Sequence, residues 1–199
     1  MRMMASAMLA MLVGVVPAAR GANLIKDGGF EKPPTPTGSY ILYNTGKTFG
    51  KWTVVGAAGN VATVSGTFTQ DGYSFPAKSG NAWLDLTGVS NTATGVAQTI
   101  KTVAGTTYSV TFWIGNVNDP GGIFGTTSTV DVYDGSTLLL AATNSKGAGT
   151  TTQVWQKFTT SFVATASTTT LSFINGDPSN DTNNGLDAIS VVAAAAARR

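Results

Sequence analysis

Between residues 106 and 116 the chain alternates. Tyr108, Val110, Phe112 and Ile114 fall on one side of an extended segment, and Ser109, Thr111 and Trp113 on the other. A period of two, built from β-branched and aromatic residues, predicts a half-buried strand. Runs of the same kind occupy 23–31, 51–55, 60–64, 81–86, 95–102, 127–133, 137–142, 154–164, 168–175 and 185–192, separated by Gly, Asn, Asp, Ser and Pro. Asp134-Gly135 and Ala104-Gly105 stand between neighbouring runs and predict tight turns, because glycine takes positive φ at little cost. Helical periodicity of useful length is missing. About ten short strands without crossover helices predict an all-β, antiparallel β-sandwich.

Residues 1–22 break this pattern. Arg2 is followed by an apolar run over 3–16, then Pro17 and small residues. That order predicts a signal peptide, cleaved after Gly21 or Ala22, and hence a secreted or cell-surface protein. The run is too short for a membrane span, which needs about 20 residues. The sandwich domain is expected over 23–192. Residues 193–199, an alanine run closed by Arg198 and Arg199, are read as a disordered tail or the start of a sorting segment. The Pro-rich 32–38 segment is read as a surface loop.

Composition narrows the chemistry. The chain has no cysteine and no histidine, which excludes disulfides, thiolate metal sites and the usual general base near neutral pH. All four arginines lie in the terminal segments, so the body carries eight lysines against ten acids. Without a basic stripe, nucleic acid is not the expected partner.

The segment Asn23-Leu24-Ile25-Lys26-Asp27-Gly28-Gly29-Phe30-Glu31 resembles the opening N-L-x-x-N-G-x-F-E of a known family. Lys51-Trp52-Thr53 matches its G-W-x strand, and Gly80 to Gly88 its G-x-x-x-L-D-L-x-G. Gly95 to Ile100, Gly105 to Phe112, Trp155 with Phe158 and Phe162, and the closing Leu186-Asp187-Ala188-Ile189-Ser190-Val191 complete the series. The set resembles the choice-of-anchor C group of exported bacterial proteins, related to the plant cell-wall domain of unknown function 642 family. That resemblance implies a galactose-binding-like jelly roll, the fold of many carbohydrate-binding modules. It implies no general activity.

Candidate chemistry follows from acids, amides and rings. Glu31 ends the first expected strand and Asp187 begins the last. Paired first and last strands would bring these carboxylates together, a donor set for one structural calcium ion, which takes six to eight oxygens. The resemblance points the same way, since related modules often carry calcium in this region. The alternative is that Asp187 caps a turn and Glu31 is solvated. Asp177, Ser179 and Asp181 have alternate spacing like a calcium loop, but Thr182 stands where that loop needs Gly. Trp113 points off the core face of its strand, and Asn116, Asn118 and Asp119 follow it. A ring beside amides and a carboxylate suits a sugar, whose apolar face stacks and whose hydroxyls pair. Tyr133 is the expected second platform. The leading expectation is a non-catalytic domain that binds a cell-wall or extracellular polysaccharide. A structural or adhesive surface protein is the alternative, and a polysaccharide-active enzyme the third reading. An enzyme would need facing carboxylates, for which Asp85, Asp131 and Asp187 are the strand-borne acids.

Overall fold

The computed structural model describes residues 21–117, 124–177 and 182–195. Its strands, in chain order, open with β1 (Tyr40–Asn44), β2 (Thr48–Phe49), β3 (Trp52–Gly56), β4 (Asn60–Ser65) and the short β5 (Thr69–Gln70) and β6 (Tyr73–Ser74). There follow β7 (Ala82–Asp85), β8 (Thr94–Lys101), β9 (Thr107–Asn116), β10 (Ser128–Asp134) and β11 (Thr137–Asn144). The series closes with β12 (Val154–Val163), β13 (Thr168–Asn175) and β14 (Gly185–Ala193). No helix occurs among the described residues.

Two six-stranded antiparallel sheets face each other, one in the order β1-β4-β7-β14-β9-β12 and the other β11-β10-β13-β8-β3-β2. β5 and β6 form a separate hairpin. The architecture is the expected jelly-roll sandwich. Alternation on β9 does what its sequence predicts: Tyr108, Val110, Phe112 and Ile114 are buried, while Ser109, Thr111 and Trp113 are half-buried on the outer face. Between the sheets Phe112 meets Phe173 edge-on at 5.5 Å, and Phe173 meets Trp52 at 6.1 Å. The expected β10–β11 hairpin forms, its two turn residues being Gly135 (φ 56°) and Ser136, between the paired Asp134 and Thr137.

Two expectations change. Residues 23–31 form no strand. Asp27 and Phe30 take left-handed backbone angles (φ 56° and 57°), which ends any strand. The Asp27 carboxylate accepts the amides of Glu31 and Lys32 and holds that turn. The segment nevertheless lies along β14: Leu24 donates to the Val191 carbonyl, and Asn23 Oδ1 accepts from Val191. β1 was not expected. Its Tyr-Ile-Leu-Tyr run is apolar on both faces, so it shows no alternation. At the other end, β14 runs through Ala193, one residue past the expected boundary, and Ala194 still donates to Thr107. Residues 196–199, with most of the expected tail, lie outside the described residues, as do 1–20 of the expected signal peptide.

Candidate functional site

An outer sheet face normally carries polar side chains. On the first sheet β1, β4 and β7 instead turn Tyr40, Leu42, Ala62, Val64 and Trp83 outward, in register: Tyr40 opposes Val64, which opposes Trp83. Three of them, Ala62, Val64 and Trp83, build a second buried apolar cluster with Phe75, Val117 and Phe124, joined by the partly buried Phe68, Tyr73 and Trp155.

The 66–81 segment crosses this face and is pinned to it. Trp83 Nε1 donates to the Phe75 carbonyl at 3.0 Å, and Trp155 Nε1 to the Pro76 carbonyl at 2.8 Å. Phe124 packs edge-on against both Tyr73 and Phe75, each at 5.1 Å. Gly115 and Gly185, directly opposed on β9 and β14, leave the space that Gln153 and Trp155 fill. A Cβ on Gly115 would lie 2.6 Å from Gln153 Cδ.

Beside the covering segment the face stays open. A cleft of about 230 Å³ is lined by Tyr40, Leu42, Ala62, Val64 and Trp83 from the sheet and by Phe68, Phe75 and Phe124 from the loops. Gln70, Asp85, Thr182 and Asn183 supply its polar groups. Tyr40 is 43% exposed, Leu42 39% and Val89 68%, so an apolar lip faces solvent at the mouth. Asp85 is held as an acceptor: its Oδ1 takes hydrogen bonds from the Thr87 amide, the Thr87 hydroxyl and the Asn184 amide. It is the one carboxylate among the described residues that line the cleft. Rings at the floor with fixed polar groups at the edge can hold a molecule that has one apolar face and a polar perimeter.

Of the residues expected from sequence, few meet there. Trp113 lies on the same outer face but away from the cleft, with the Lys78 ammonium 4.0 Å above its ring. Tyr133 sits on β10 of the second sheet and points away from the core, so the sandwich thickness separates it from Trp113. The two cannot form one platform, a correction that follows from which sheet each strand joins. Asn116 is also corrected as a surface ligand residue. It is buried, donating to Ser128 Oγ and accepting from the Gly147 amide, because it sits where β9 ends under the β11–β12 connection. Asn118 and Asp119 lie outside the described residues. Alternation along the chain does not reveal the cleft; its one visible sign is the three aromatics Phe68, Tyr73 and Phe75 in what reads as loop.

Glu31 and Asp187 do come together. A Cβ built on Gly29 would lie 3.6 Å from Asp187 Oδ1 and 3.9 Å from Glu31 Oε1. Both serve the covering segment. Asp187 Oδ2 accepts the amides of Lys78 (2.9 Å) and Ser79 (3.0 Å), and its Oδ1 that of Ala188. Glu31 Oε1 accepts those of Asn81 and Ala82. Burial pushes the Asp187 carboxyl up to about 7, the three amides pull it down, and the Glu31 charge adds to the rise. The donor set is thus two carboxylates that lack a full counter-charge, which fits a hard cation in charge. Among the described residues no third acid joins them. Asp131, on the second sheet, is raised by burial alone.

A family model described as "Protein of unknown function (DUF642)" matches residues 23–192. No curated protein matches the chain. Among solved structures, a Stig cyclase from Fischerella sp. TAU, in complex with (3Z)-3-(1-methyl-2-pyrrolidinylidene)-3H-indole, is 21% identical with a TM-score of 0.59. The match covers 88% of this chain and 98% of that one. A second Fischerella cyclase structure is 20% identical with a TM-score of 0.57, over 87% and 98% of the two chains. The xylan-binding CBM22-1 domain of Paenibacillus barcinonensis Xyn10C is 15% identical, covering 81% and 98%, with a TM-score of 0.45. At these identities the likeness is one of fold.

Proposed function

We infer the function of a chain that belongs to the DUF642 family, a family of unknown function, from its surface: it binds a neutral polysaccharide in the cleft of the first sheet. One observation carries the reading, the exposed Tyr40 and Leu42 at the mouth of an aromatic cleft whose edge holds Asp85 and Gln70. A pyranose would stack its apolar face on Tyr40 and direct its hydroxyls to those acceptors. Binding of this kind is weak, about −4 to −8 kcal/mol. Retention on native affinity gels tests it. Tyr40→Ala is expected to weaken retention about tenfold, the scale of one ring contact, with an unchanged melting temperature. Preference for an indole-like ring compound over every glycan would transfer the cleft to a small aromatic ligand, the class held by the solved Fischerella cyclase.

Two further expectations belong to this proposal. Export, supported by the pattern of residues 1–22, is checked by intact mass of secreted protein, which is expected to start between Ala19 and Asn23. The narrower likeness to choice-of-anchor C proteins goes with it. Calcium at Glu31 and Asp187 is supported by their convergence and by the buried charge of Asp187. There it would neutralise the pair and stiffen the 78–82 segment.

A further inference from the structure

Beyond the cleft, on the other side of the covering segment, the outer face of the first sheet changes character. Trp113 on β9 stands directly opposite Lys157 on β12. Side chains so opposed lie within about 5 Å at Cβ. The exposed Lys78 reaches over the same ring, its ammonium 4.0 Å from the centroid. Lys157 is exposed as well. Two of the eight lysines of a body with more acids than bases therefore flank one half-buried ring. The nearest acid on this face, Asp187, opposes Trp113 from β14, but its oxygens are enclosed by the amides of 78, 79 and 188. One step along the strands, about 7 Å away, the hydroxyls of Ser190, Thr111 and Thr159 stand in register across β14, β9 and β12.

We propose that this patch is a second binding site, for a uronic-acid sugar: Lys78 swings off the face of Trp113 to meet the carboxylate together with Lys157, the ring so uncovered takes the pyranose face, and the hydroxyl row takes the adjoining residue of the glycan. A neutral sugar on the ring would displace Lys78 from it and offer neither ammonium a counter-charge. A compact inorganic anion would make no use of the ring or the hydroxyls. The site stands apart from the neutral-glycan reading of the cleft.

The test compares an oligoglucuronan with the same oligosaccharide after its carboxyls are reduced to hydroxymethyl groups, by titration calorimetry on the whole chain. The acidic form is expected to bind at least tenfold more tightly, and raising salt from 50 to 500 mM to weaken it several-fold, as for any exposed charge contact. The Lys78→Gln, Lys157→Gln double variant is expected to erase that preference, and Trp113→Leu to weaken the acidic form about tenfold, with Tyr40→Ala without effect on it. Unchanged melting temperatures certify the folds. Should Trp113→Leu unfold the domain, the lysine pair, exposed on the surface, still decides. Equal affinity for the two oligosaccharides, or an acidic preference that survives loss of both lysines, overturns the proposal. Equal affinity that Tyr40→Ala abolishes would leave the cleft reading intact and sink only this one. Acidic binding lost with the lysines while no neutral glycan binds would do the reverse.

Discussion

Asp187 shows what a single side chain does in this fold. It is fully buried, yet its work is to hold backbone amides of the segment that roofs the outer face. Its folded pKa, about 7, lies above the ordinary 3.8. The native state therefore keeps a proton that the unfolded chain loses. That contribution to stability is whole below the unfolded value and is lost as pH rises through the folded one. In chelator, denaturation free energy is expected to fall between about pH 4 and 7, by up to about 1.4 kcal/mol per pH unit. Asp187→Asn is expected to flatten this slope, which urea titrations across the range would read. Excess calcium at pH 7 should raise the melting temperature of the wild type by mass action and leave Asp187→Asn unmoved. Identical melting in calcium and chelator would reject the ion.

At the scale of elements, the outer face depends on a few close approaches. Trp155→Phe keeps the ring but removes the donor to the Pro76 carbonyl, with a cost of about 1 kcal/mol and faster proteolysis within 66–81. Limited digestion followed by mass spectrometry checks the site of cleavage. Gly28 meets the backbone carbonyl of Ile189 where the N-terminal segment lies on β14. In Gly28→Ala the new Cβ would collide with that carbonyl, and neither backbone can move without breaking the Ile189 to Gly28 hydrogen bond. Destabilisation of roughly 1–3 kcal/mol is expected, measured by chemical denaturation. Gly135→Ala differs: nothing lies within 4 Å of its Cβ, so only the left-handed backbone angle opposes it.

For the whole molecule, the sandwich separates two tasks. The space between the sheets holds the Phe112, Phe173 and Trp52 contacts, and Phe112→Ala is expected to cost about 3–5 kcal/mol. The outer face of the first sheet carries the aromatic cleft and the Trp113 patch, which the 66–81 segment divides. Substitutions at Tyr40 and Lys157 should then change binding without changing stability. Parallel melting and affinity measurements on one panel of variants would show whether the two tasks separate in this way.

Local chemistry determined much of this from the sequence alone. Period-two alternation in segments such as 107–116 and 168–175 set which side chains enter the core, because a strand has only two faces. Glycine after Asp134 set a hairpin, because the two-residue turn between Asp134 and Thr137 needs a positive φ that glycine takes at little cost. The acids at 31 and 187 could be brought together in advance, since chain ends in sandwiches often adjoin. Which sheet each strand joins was decided only by the tertiary structure, and so Trp113 and Tyr133 part company. The same holds for Asn116, whose polarity suggested the surface and whose burial depends on partners 12 and 31 residues away. The cleft was hidden most completely. Its walls come from β1, β4, β7 and separate loops, and a run such as Tyr40 to Tyr43 is apolar on both faces because Tyr43 packs on the core while Tyr40 and Leu42, on the other side, line the cleft. Alternation reports a strand's own two faces; it carries no record of what another part of the chain will lay across the outer one.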